Sequence, residues 1–272
     1  MKPSIFPAYY TPLDKLGWYG LRVLCGAVLL FLLLPIIVII PLSFSNSSFL
    51  SYPIPGWSLR WYQELFASGD WARATRNSFI VAPLATLIAT ALGTLAAVGL
   101  ARSRFVGKGL LTSLLIAPMV VPIVVVGVST YLFFARIGLS DSYTGLVLVH
   151  AALGAPFVLT TVMATLQGFN QNLVKASLSL GAGPLQTFFR ITLPVIAPGV
   201  ISGALFAFAT SFDEVVVTLF LAGPTQTTLP RQMFTGIREN ISPTIAAVAT
   251  LLIVFTACLM MTMEWLRGRV KK

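Results

Sequence analysis

Two adjacent acidic residues, Asp213 and Glu214, stand inside a long apolar stretch of this sequence. A carboxylate within a bilayer is costly, and such residues usually face a wet cavity or the interior of a helix bundle. In a helix over 195–221, Asp213 would lie about 12 Å short of the outer end, and the two acids would point about 100° apart. A pair of acids here suits a cationic solute, and an ion pair with a basic group such as Arg231 is an equal alternative.

His150 is the single histidine of the chain, and it falls in another apolar stretch. A lone histidine can relay protons, but a packed, hydrogen-bonded side chain is the commoner outcome and is expected here. Adjacent acids such as Asp213 and Glu214 do not converge from separate helices, as an intramembrane aspartyl enzyme requires. A membrane-embedded enzyme is therefore a less favoured hypothesis than a path for a cationic solute.

Motifs for nucleotide and metal chemistry are missing from the sequence. Gly107-Lys108 lacks both the upstream glycine and the following hydroxyl of a phosphate-binding loop. Neither HExxH nor GxSxG occurs, and the two cysteines, Cys25 and Cys258, stand alone in apolar stretches. We therefore expect no catalytic residue, no metal and no bound cofactor in this chain.

The composition indicates an integral membrane protein. Of 272 residues, 57% are hydrophobic and 10% are charged, whereas soluble domains carry about 25% charged residues. The net charge of +10 would be compatible with nucleic acid. The basic residues are scattered between apolar stretches, however, so we expect no nucleic acid and interpret them as determinants of membrane topology.

Six apolar stretches approach the length of about 20 residues that crosses a bilayer. They predict an all-α, polytopic membrane protein in which 1–272 is a single transmembrane domain. The predicted spans are 22–42, 78–100, 110–135, 143–167, 195–221 and 243–263. No inverted repeat is visible, which disfavours a stand-alone secondary transporter.

The Lys and Arg residues predict the orientation. With the N-terminus inside, the inner segments carry twelve of the 18 basic residues and the outer segments carry six. This two-to-one bias predicts that both termini are cytoplasmic. The inner set is Lys2, Lys15, Arg22, Arg102, Arg104, Lys108, Lys175, Arg190, Arg267, Arg269, Lys271 and Lys272. The outer set is Arg60, Arg73, Arg76, Arg136, Arg231 and Arg238.

An outer segment, 43–77, is rich in aromatic residues. Its rings have two explanations, which are anchoring at the membrane interface and a platform for a soluble binding protein. The rings in question are Trp57, Trp61, Tyr62 and Trp71.

The segment 168–194 is polar and rich in small residues, and it falls on the inner side. Four of its residues share one face of a short helix: Leu173, Ala176, Ser177 and Leu180. Gly181 and Gly183 predict the end of that helix. A second short helix is expected over 185–193, which leads into the next span.

A family resemblance rests on this segment. Lys175-Ala176-Ser177, then Gly181, then Ile191-Thr192-Leu193-Pro194 resembles the "EAA, then G, then I-x-L-P" signature of ABC importer permeases. Lys175 stands where that family usually has Glu, and Ser177 stands where it usually has Ala. The resemblance covers essentially the whole chain. SFDEVVVTLFLAGP followed by TLPRQM looks most like the second permease of spermidine/putrescine-type importers.

The resemblance implies a type I, MetI-like permease in a bacterial inner membrane. Its coupling residues for a cytoplasmic ATPase would be Lys175, Ala176, Ser177, Gly181, Ile191, Leu193 and Pro194. ATP and magnesium would be held by that ATPase and not by this chain. The implied partners are a second, homologous permease, two ATPase subunits, a periplasmic solute-binding protein and the lipid bilayer.

The resemblance also implies a solute. A polyamine is expected, with Asp213 and Glu214 as candidates for the substrate pathway. A related importer for another small organic solute, such as an opine or an amino-acid derivative, is the alternative.

Overall fold

The computed structural model of the chain describes residues 11–239 and 242–270, with side chains described as far as Cys258 and at Met261. These residues form helices and turns, and the one β feature among them is an isolated bridge between Ser45 and Trp57. The all-α prediction is confirmed. The terminal lysines counted in the orientation prediction (Lys2, Lys271 and Lys272) lie outside the described residues.

Twelve α-helices are present in the described residues. They are α1 (Pro12–Leu42), α2 (Arg60–Ala67), α3 (Gly69–Arg102), α4 (Lys108–Val120), α5 (Ile123–Ile137), α6 (Tyr143–Gln167), α7 (Asn172–Ser179), α8 (Pro184–Thr187), α9 (Leu193–Phe212), α10 (Val216–Leu221), α11 (Leu229–Glu239) and α12 (Pro243–Val270). A π-helical segment, Phe188–Thr192, joins α8 to α9, and a 3-10 turn covers Pro224–Gln226.

The chain divides into two compact units. One contains the described residues up to Ser68 and from Gly236 onward, and in it α12 packs against α1 and α2. The helix α1 begins with a capping box, in which the Thr11 hydroxyl accepts from the Asp14 amide and the Asp14 carboxylate accepts from the Thr11 amide. Most of its apolar length is exposed in the single chain.

Trp61 lies inside this first unit and not on its surface. Its Nε1 donates to the Ser45 carbonyl at 2.7 Å, and 4% of the residue is exposed. Tyr62 is held nearby by a 2.7 Å hydrogen bond to the Ser43 hydroxyl. Trp57 is 72% exposed. Trp57 is therefore open to a partner or a membrane surface, Tyr62 and Trp71 are half-buried, and Trp61 fixes the turn after α1.

The second unit, Gly69–Thr235, is built on the three helices α3, α6 and α9. Asn77 near the start of α3 accepts a hydrogen bond from Tyr143 at the start of α6, so these two helices run in the same direction. Arg102 at the end of α3 donates to Thr192 just before α9, so α9 runs back along them. The central helix, α6, is the most buried of the three.

Small residues set the distance between α9 and α6. A Cβ at Gly203 would lie 2.5 Å from the Thr161 hydroxyl and 2.7 Å from the Val158 Cα, and a Cβ at Gly199 would overlap Thr165. Glycine at these positions lets the two backbones approach closely, as in many pairs of membrane helices. The Gly199/Gly203 spacing is thus used for packing.

Two predicted spans are not continuous helices. The stretch 110–135 divides after Val120, where α4 and α5 meet at 102°. Pro122 lacks an amide donor, and Val121 before it is extended (ψ 133°) because the proline ring disfavours helical backbone in the preceding residue. The stretch 195–221 divides between α9 and α10, at Asp213–Val215.

By length and composition, four helices in the described residues suit a membrane crossing: Pro12–Leu42, Gly69–Arg102, Tyr143–Gln167 and Pro184–Phe212. The bent pair α4–α5 would be a fifth. The described apolar part of α12, Pro243–Cys258, is shorter. The count of six spans therefore stays a prediction.

Candidate functional site

The helix α7 ends in a complete Schellman motif. Gly181 adopts a left-handed conformation (φ +84°); its amide donates to the Leu178 carbonyl, and the Ala182 amide donates to the Ser177 carbonyl at 3.2 Å. These two hydrogen bonds satisfy carbonyls that the helix end would otherwise leave open. The expected stop at Gly181 is present, and its backbone geometry favours glycine. Gly183 has an ordinary φ of −69° and precedes α8.

The expected second short helix is not a separate element. α8, the π-helical segment and α9 follow one another without a break, so a helical stretch runs from Pro184 to Phe212. The π-helical turns widen it over Phe188–Thr192, the segment that contains Ile191. Only the glycine bend separates α7 from this long helix. The long helix begins beside α7 and ends next to Asp213.

One hydrogen bond closes α7 onto the long helix. The hydroxyls of Ser177 and Thr187 lie 3.0 Å apart, and Thr187 is buried. Beside them is an open groove of about 550 Å³, which we call the α7 groove. Its lining residues are Leu173, Ala176, Ser177, Leu180, Gly181, Ala182, Gln186, Arg190 and Ile191. The four residues expected to share a helix face all line this groove.

The seven predicted coupling residues separate into two groups. Ala176, Ser177, Gly181 and Ile191 meet in the α7 groove, beside the exposed Lys175. Leu193 packs against the core of the unit, and Pro194 is exposed in the first turn of α9. The first group forms a surface, whereas Leu193 joins that surface to the bundle.

Sequence reasoning missed two residues that fix the base of this surface. Arg102 donates from Nη2 to the Thr192 hydroxyl at 3.0 Å, and Thr192 is fully buried. This bond ties the end of α3 to the start of α9. Thr192 stands inside the Ile191–Pro194 motif, so its position was available from the sequence, but its partner was not.

Asp213 and Glu214 occupy the break between α9 and α10. Asp213 caps the end of α9 and is exposed in the single chain, while Glu214 is half-buried. The Glu214 Oε1 accepts from the Val217 amide at 2.8 Å, which caps the start of α10. The two acids thus differ in their surroundings because the helix is interrupted, and not because of their angular positions on one continuous helix.

Arg231, considered above as an ion-pair partner for these acids, directs its guanidinium elsewhere. Its Nη1 donates to the carbonyls of Ala222 and Gly223. Burial lowers the pKa of Arg231, and the nearby carboxylate of Asp141 opposes that shift. Arg231 therefore secures the loop after α10, and Asp213 is left accessible.

His150 holds the two sides of the break together. It is buried in α6, with Nδ1 2.9 Å from the Ser211 hydroxyl of α9 and Nε2 3.2 Å from the Thr218 hydroxyl of α10. The expectation of a packed, hydrogen-bonded histidine is confirmed. No signal in the sequence pairs His150 with Ser211 or Thr218, since these contacts span 61 and 68 residues.

A second polar cluster fixes the loop that leads to α11. Asn77 is buried, and its Nδ2 donates to the carbonyls of Thr225 and Thr227 at 2.9 and 2.8 Å. Its Oδ1 accepts from the Tyr143 hydroxyl at 2.8 Å. The Ser78 hydroxyl accepts from the Leu229 amide. Side chains at the starts of α3 and α6 thus satisfy backbone groups of this loop.

Within the described residues, no group of three or more His, Cys, Asp or Glu side chains is placed to hold a metal ion. The site comprises the α7 groove at one end of α9 and the acidic break at the other.

Comparison with known proteins identifies relatives of this chain. The family described as "Binding-protein-dependent transport system inner membrane component" matches residues 89–272. The putrescine transport system permease protein PotI of Escherichia coli K12 is 35% identical over 249 residues, which cover 89% of this chain and 88% of PotI. The spermidine/putrescine transport system permease protein PotC of Haemophilus influenzae is 34% identical over 230 residues, covering 84% and 89% of the two chains.

A solved structure shares the fold. A chain of a bacterial ABC transporter that imports the acidic polysaccharide alginate superposes with a TM-score of 0.79 at 15% identity, and the match covers 95% of this chain and 99% of that one. At this identity the likeness concerns the fold alone.

Proposed function

Since the chain belongs to the family of binding-protein-dependent transport system inner membrane components, and is a multi-pass permease subunit of an importer and not an enzyme, we propose that it forms half of the path taken by a polyamine. The other half would come from a homologous permease. Two ATPase subunits and a periplasmic solute-binding protein would complete the importer. The proposal rests on the family match over residues 89–272, and the open α7 groove lined by Gly181 supports it.

The continuous helix Pro184–Phe212 would connect the ATPase-binding surface of the chain to the path of the solute. ATP, held by the partner ATPase with magnesium, would supply the free energy that favours one of two states of the permease pair. The groove formed by Ala176, Ser177, Gly181 and Ile191 would bind that ATPase, with Lys175 at its edge. Leu193 and Pro194 would join the bound surface to α9. Movement of the α7 groove would thereby reach the break at Asp213.

The proposed orientation places the α7 groove in the cytoplasm and both termini on the same side. The ends of α3 and α6 and the start of α9 lie together, and the basic side chains in this region are Arg102, Arg104, Lys108, Lys175 and Arg190. Such an excess of basic residues is typical of the cytoplasmic face. The acidic break would then lie toward the outer face of a bacterial inner membrane.

The proposed solute is a polyamine of the putrescine or spermidine class. The relatives PotI and PotC are named for putrescine and for spermidine with putrescine. Asp213 is exposed and forms no ion pair with another described residue, and a carboxylate in a wet cavity of the bundle attracts an ammonium group. Glu214 would contribute by capping α10 and so shaping the break.

Purification and reconstitution test the proposal. An affinity-tagged chain, extracted in mild detergent, is expected to bring with it an ATP-hydrolysing subunit and a second permease. Proteoliposomes of this complex, supplied with the binding protein and ATP, should accumulate labelled putrescine or spermidine. Accumulation of an opine or amino-acid derivative would redirect the substrate assignment, and transport without any ATPase would contradict the importer.

Labelling tests the orientation. A Lys175→Cys variant in a Cys25→Ser, Cys258→Ser background is expected to react with a membrane-impermeant maleimide only after the cells are opened. Reaction in intact spheroplasts would place the α7 groove on the outer face and remove the basis for ATPase binding.

A further inference from the structure

We propose that the α7 groove fits a partner ATPase whose docking face presents a carboxylate to Lys175, surrounded by apolar side chains. This inference rests on the proposed function and specifies the chemistry of the partner. The partner is identified by charge and polarity: an acidic group within an apolar recess.

The segment that contains the α7 groove carries only positive charges. Between Gly168 and Pro194 the sequence contains two basic residues, Lys175 and Arg190, and no Asp or Glu. Both basic side chains are exposed, and Arg190 lines the α7 groove. The surface thus offers only positive charge to whatever covers it.

No acid within the same compact unit lies close enough to neutralise Lys175. Asp70 stands at the start of α3, Asp141 precedes α6, and Asp213 and Glu214 follow α9. Each lies at the opposite end of a helix whose other end is beside the groove. The shortest of these helices, α9, has 20 residues, which corresponds to about 30 Å. That distance is almost four Debye lengths of about 8 Å each at physiological salt.

Exposed apolar side chains of the same segment supply the apolar part of this surface. Leu180 is 88% exposed, Leu185 is 75% exposed and Phe189 is 61% exposed. They belong to the end of α7 and to the first turns after the glycine bend. A cluster of large apolar side chains on a polar loop indicates an interaction surface. These leucine and phenylalanine side chains can be buried only against an apolar recess in the partner.

The two features act together. An ion pair at an open surface contributes little, because water screens it. When apolar side chains exclude water from the interface, the same ion pair discriminates between partners. A like charge opposite Lys175 then weakens binding strongly. A partner with a basic docking face would therefore be rejected, so the charge at position 175 restricts which ATPase this chain accepts.

The first test is a carbodiimide cross-link. The probe is the ATPase subunit that co-purifies with the tagged wild-type chain. Carbodiimide condenses an amine with a carboxylate in contact with it, and the water that is lost is taken up as a urea. Mass spectrometry is expected to find Lys175 joined to an Asp or Glu of the ATPase. The Lys175→Arg variant keeps the charge and should bind normally but lose this cross-link.

The second test reverses the charge. Lys175→Glu is expected to weaken ATPase binding about tenfold, because it places like charges together. Arg104→Glu is the matched control, since Arg104 is exposed near the end of α3, outside the α7 groove, and its reversal changes the net charge equally. Wild-type binding should weaken between about 0.05 M and 0.5 M salt, and this dependence should be smaller in Lys175→Gln.

The outcomes separate this inference from the proposed function. If the ATPase binds the wild type but gives no cross-link at Lys175, and Lys175→Glu binds as tightly as Arg104→Glu, the acidic partner face is excluded while the importer stands. If no ATPase accompanies even the wild-type chain, both the inference and the proposed function fail.

Discussion

His150 of α6 and Ser211 of α9 form a buried hydrogen bond, with the imidazole Nδ1 2.9 Å from the hydroxyl oxygen. The other ring nitrogen reaches Thr218 of α10. One side chain therefore binds both sides of the break that contains Asp213 and Glu214. A break in a membrane helix is stable only when its free backbone and side-chain groups are satisfied, and His150 supplies part of that support.

Loss of the Thr218 hydroxyl is expected to destabilise this junction. Thr218→Val keeps the shape but leaves His150 Nε2 unpaired, at a cost of about 1 kcal/mol or more. Thr160→Val is the matched control, because the Thr160 hydroxyl bonds only to carbonyls of its own helix. Thermal unfolding in detergent should show a lower Tm for Thr218→Val than for Thr160→Val. Equal Tm values would show that the His150 contact is dispensable.

The close approach of α9 to α6 is expected to exclude even one extra methyl group. Gly203→Ala places a Cβ 2.7 Å from the Val158 Cα, and overpacking of this kind costs about 1–3 kcal/mol. Gly99→Ala on α3 is the control, since its Cβ would meet nothing within 4 Å and alanine favours a helix by up to about 1 kcal/mol. Unfolding midpoints of the two variants should move in opposite directions.

The turn at the end of α7 is expected to require glycine at position 181 but not at position 183. Gly181→Ala forces an L-residue into a left-handed conformation, at about 1–2 kcal/mol. Gly183→Ala changes a residue of ordinary φ with open space around it. We expect Gly181→Ala to reduce uptake and ATPase association, with membrane insertion unchanged, while Gly183→Ala behaves as wild type. Similar uptake by both variants would argue against a role for the Schellman turn in coupling.

Substitutions of the two adjacent acids are expected to change different properties, which are polyamine uptake for Asp213 and thermal stability for Glu214. Asp213→Asn should lower polyamine uptake about tenfold or more, as for loss of a partly desolvated charge pair, without a change in Tm. Glu214→Ala should lower the Tm, because the Val217 amide loses its cap at about 1 kcal/mol, whereas Glu214→Gln retains an acceptor oxygen. Unchanged polyamine uptake by Asp213→Asn would remove Asp213 from the substrate pathway.

The loop before α11 is expected to detach when its buried anchor is removed. Asn77→Leu removes the amide that donates to the carbonyls of Thr225 and Thr227, at about 1–3 kcal/mol. Tyr143→Phe removes the hydroxyl that donates to Asn77 and, at 3.3 Å, to the Thr225 carbonyl, but it keeps both donors of the Asn77 amide and should have a smaller effect. Limited proteolysis should cut near Thr225 faster in Asn77→Leu than in Tyr143→Phe. Equal rates would place the support of this loop elsewhere.

Several features followed from local sequence. The apolar stretches predicted an all-α membrane protein, and the signature around Lys175 and Gly181 predicted the permease family, which the relatives confirm. The stop at Gly181 was predictable because helix ends depend on residues within one turn of each other. The importer role was likewise available before any coordinates.

The breaks in the spans were predicted less well. Pro118 and Pro122 are residues that can kink a helix, but neither by itself specifies the 102° turn between α4 and α5. The break at Asp213 contains no proline, and it lies inside the apolar stretch 195–221. A search for apolar stretches therefore does not detect it. Part of its support comes from His150, which is 61 residues from Ser211.

The helical class, the family and the end of α7 could all be predicted from the amino-acid sequence, because each depends on composition or on neighbours a few residues apart. Only the tertiary structure decided that α8 and α9 form one helix, that Glu214 caps α10 while Asp213 stays open, and that His150 joins α9 to α10. The physical reason is that buried polar groups must find partners, and in this bundle those partners come from helices distant in the chain.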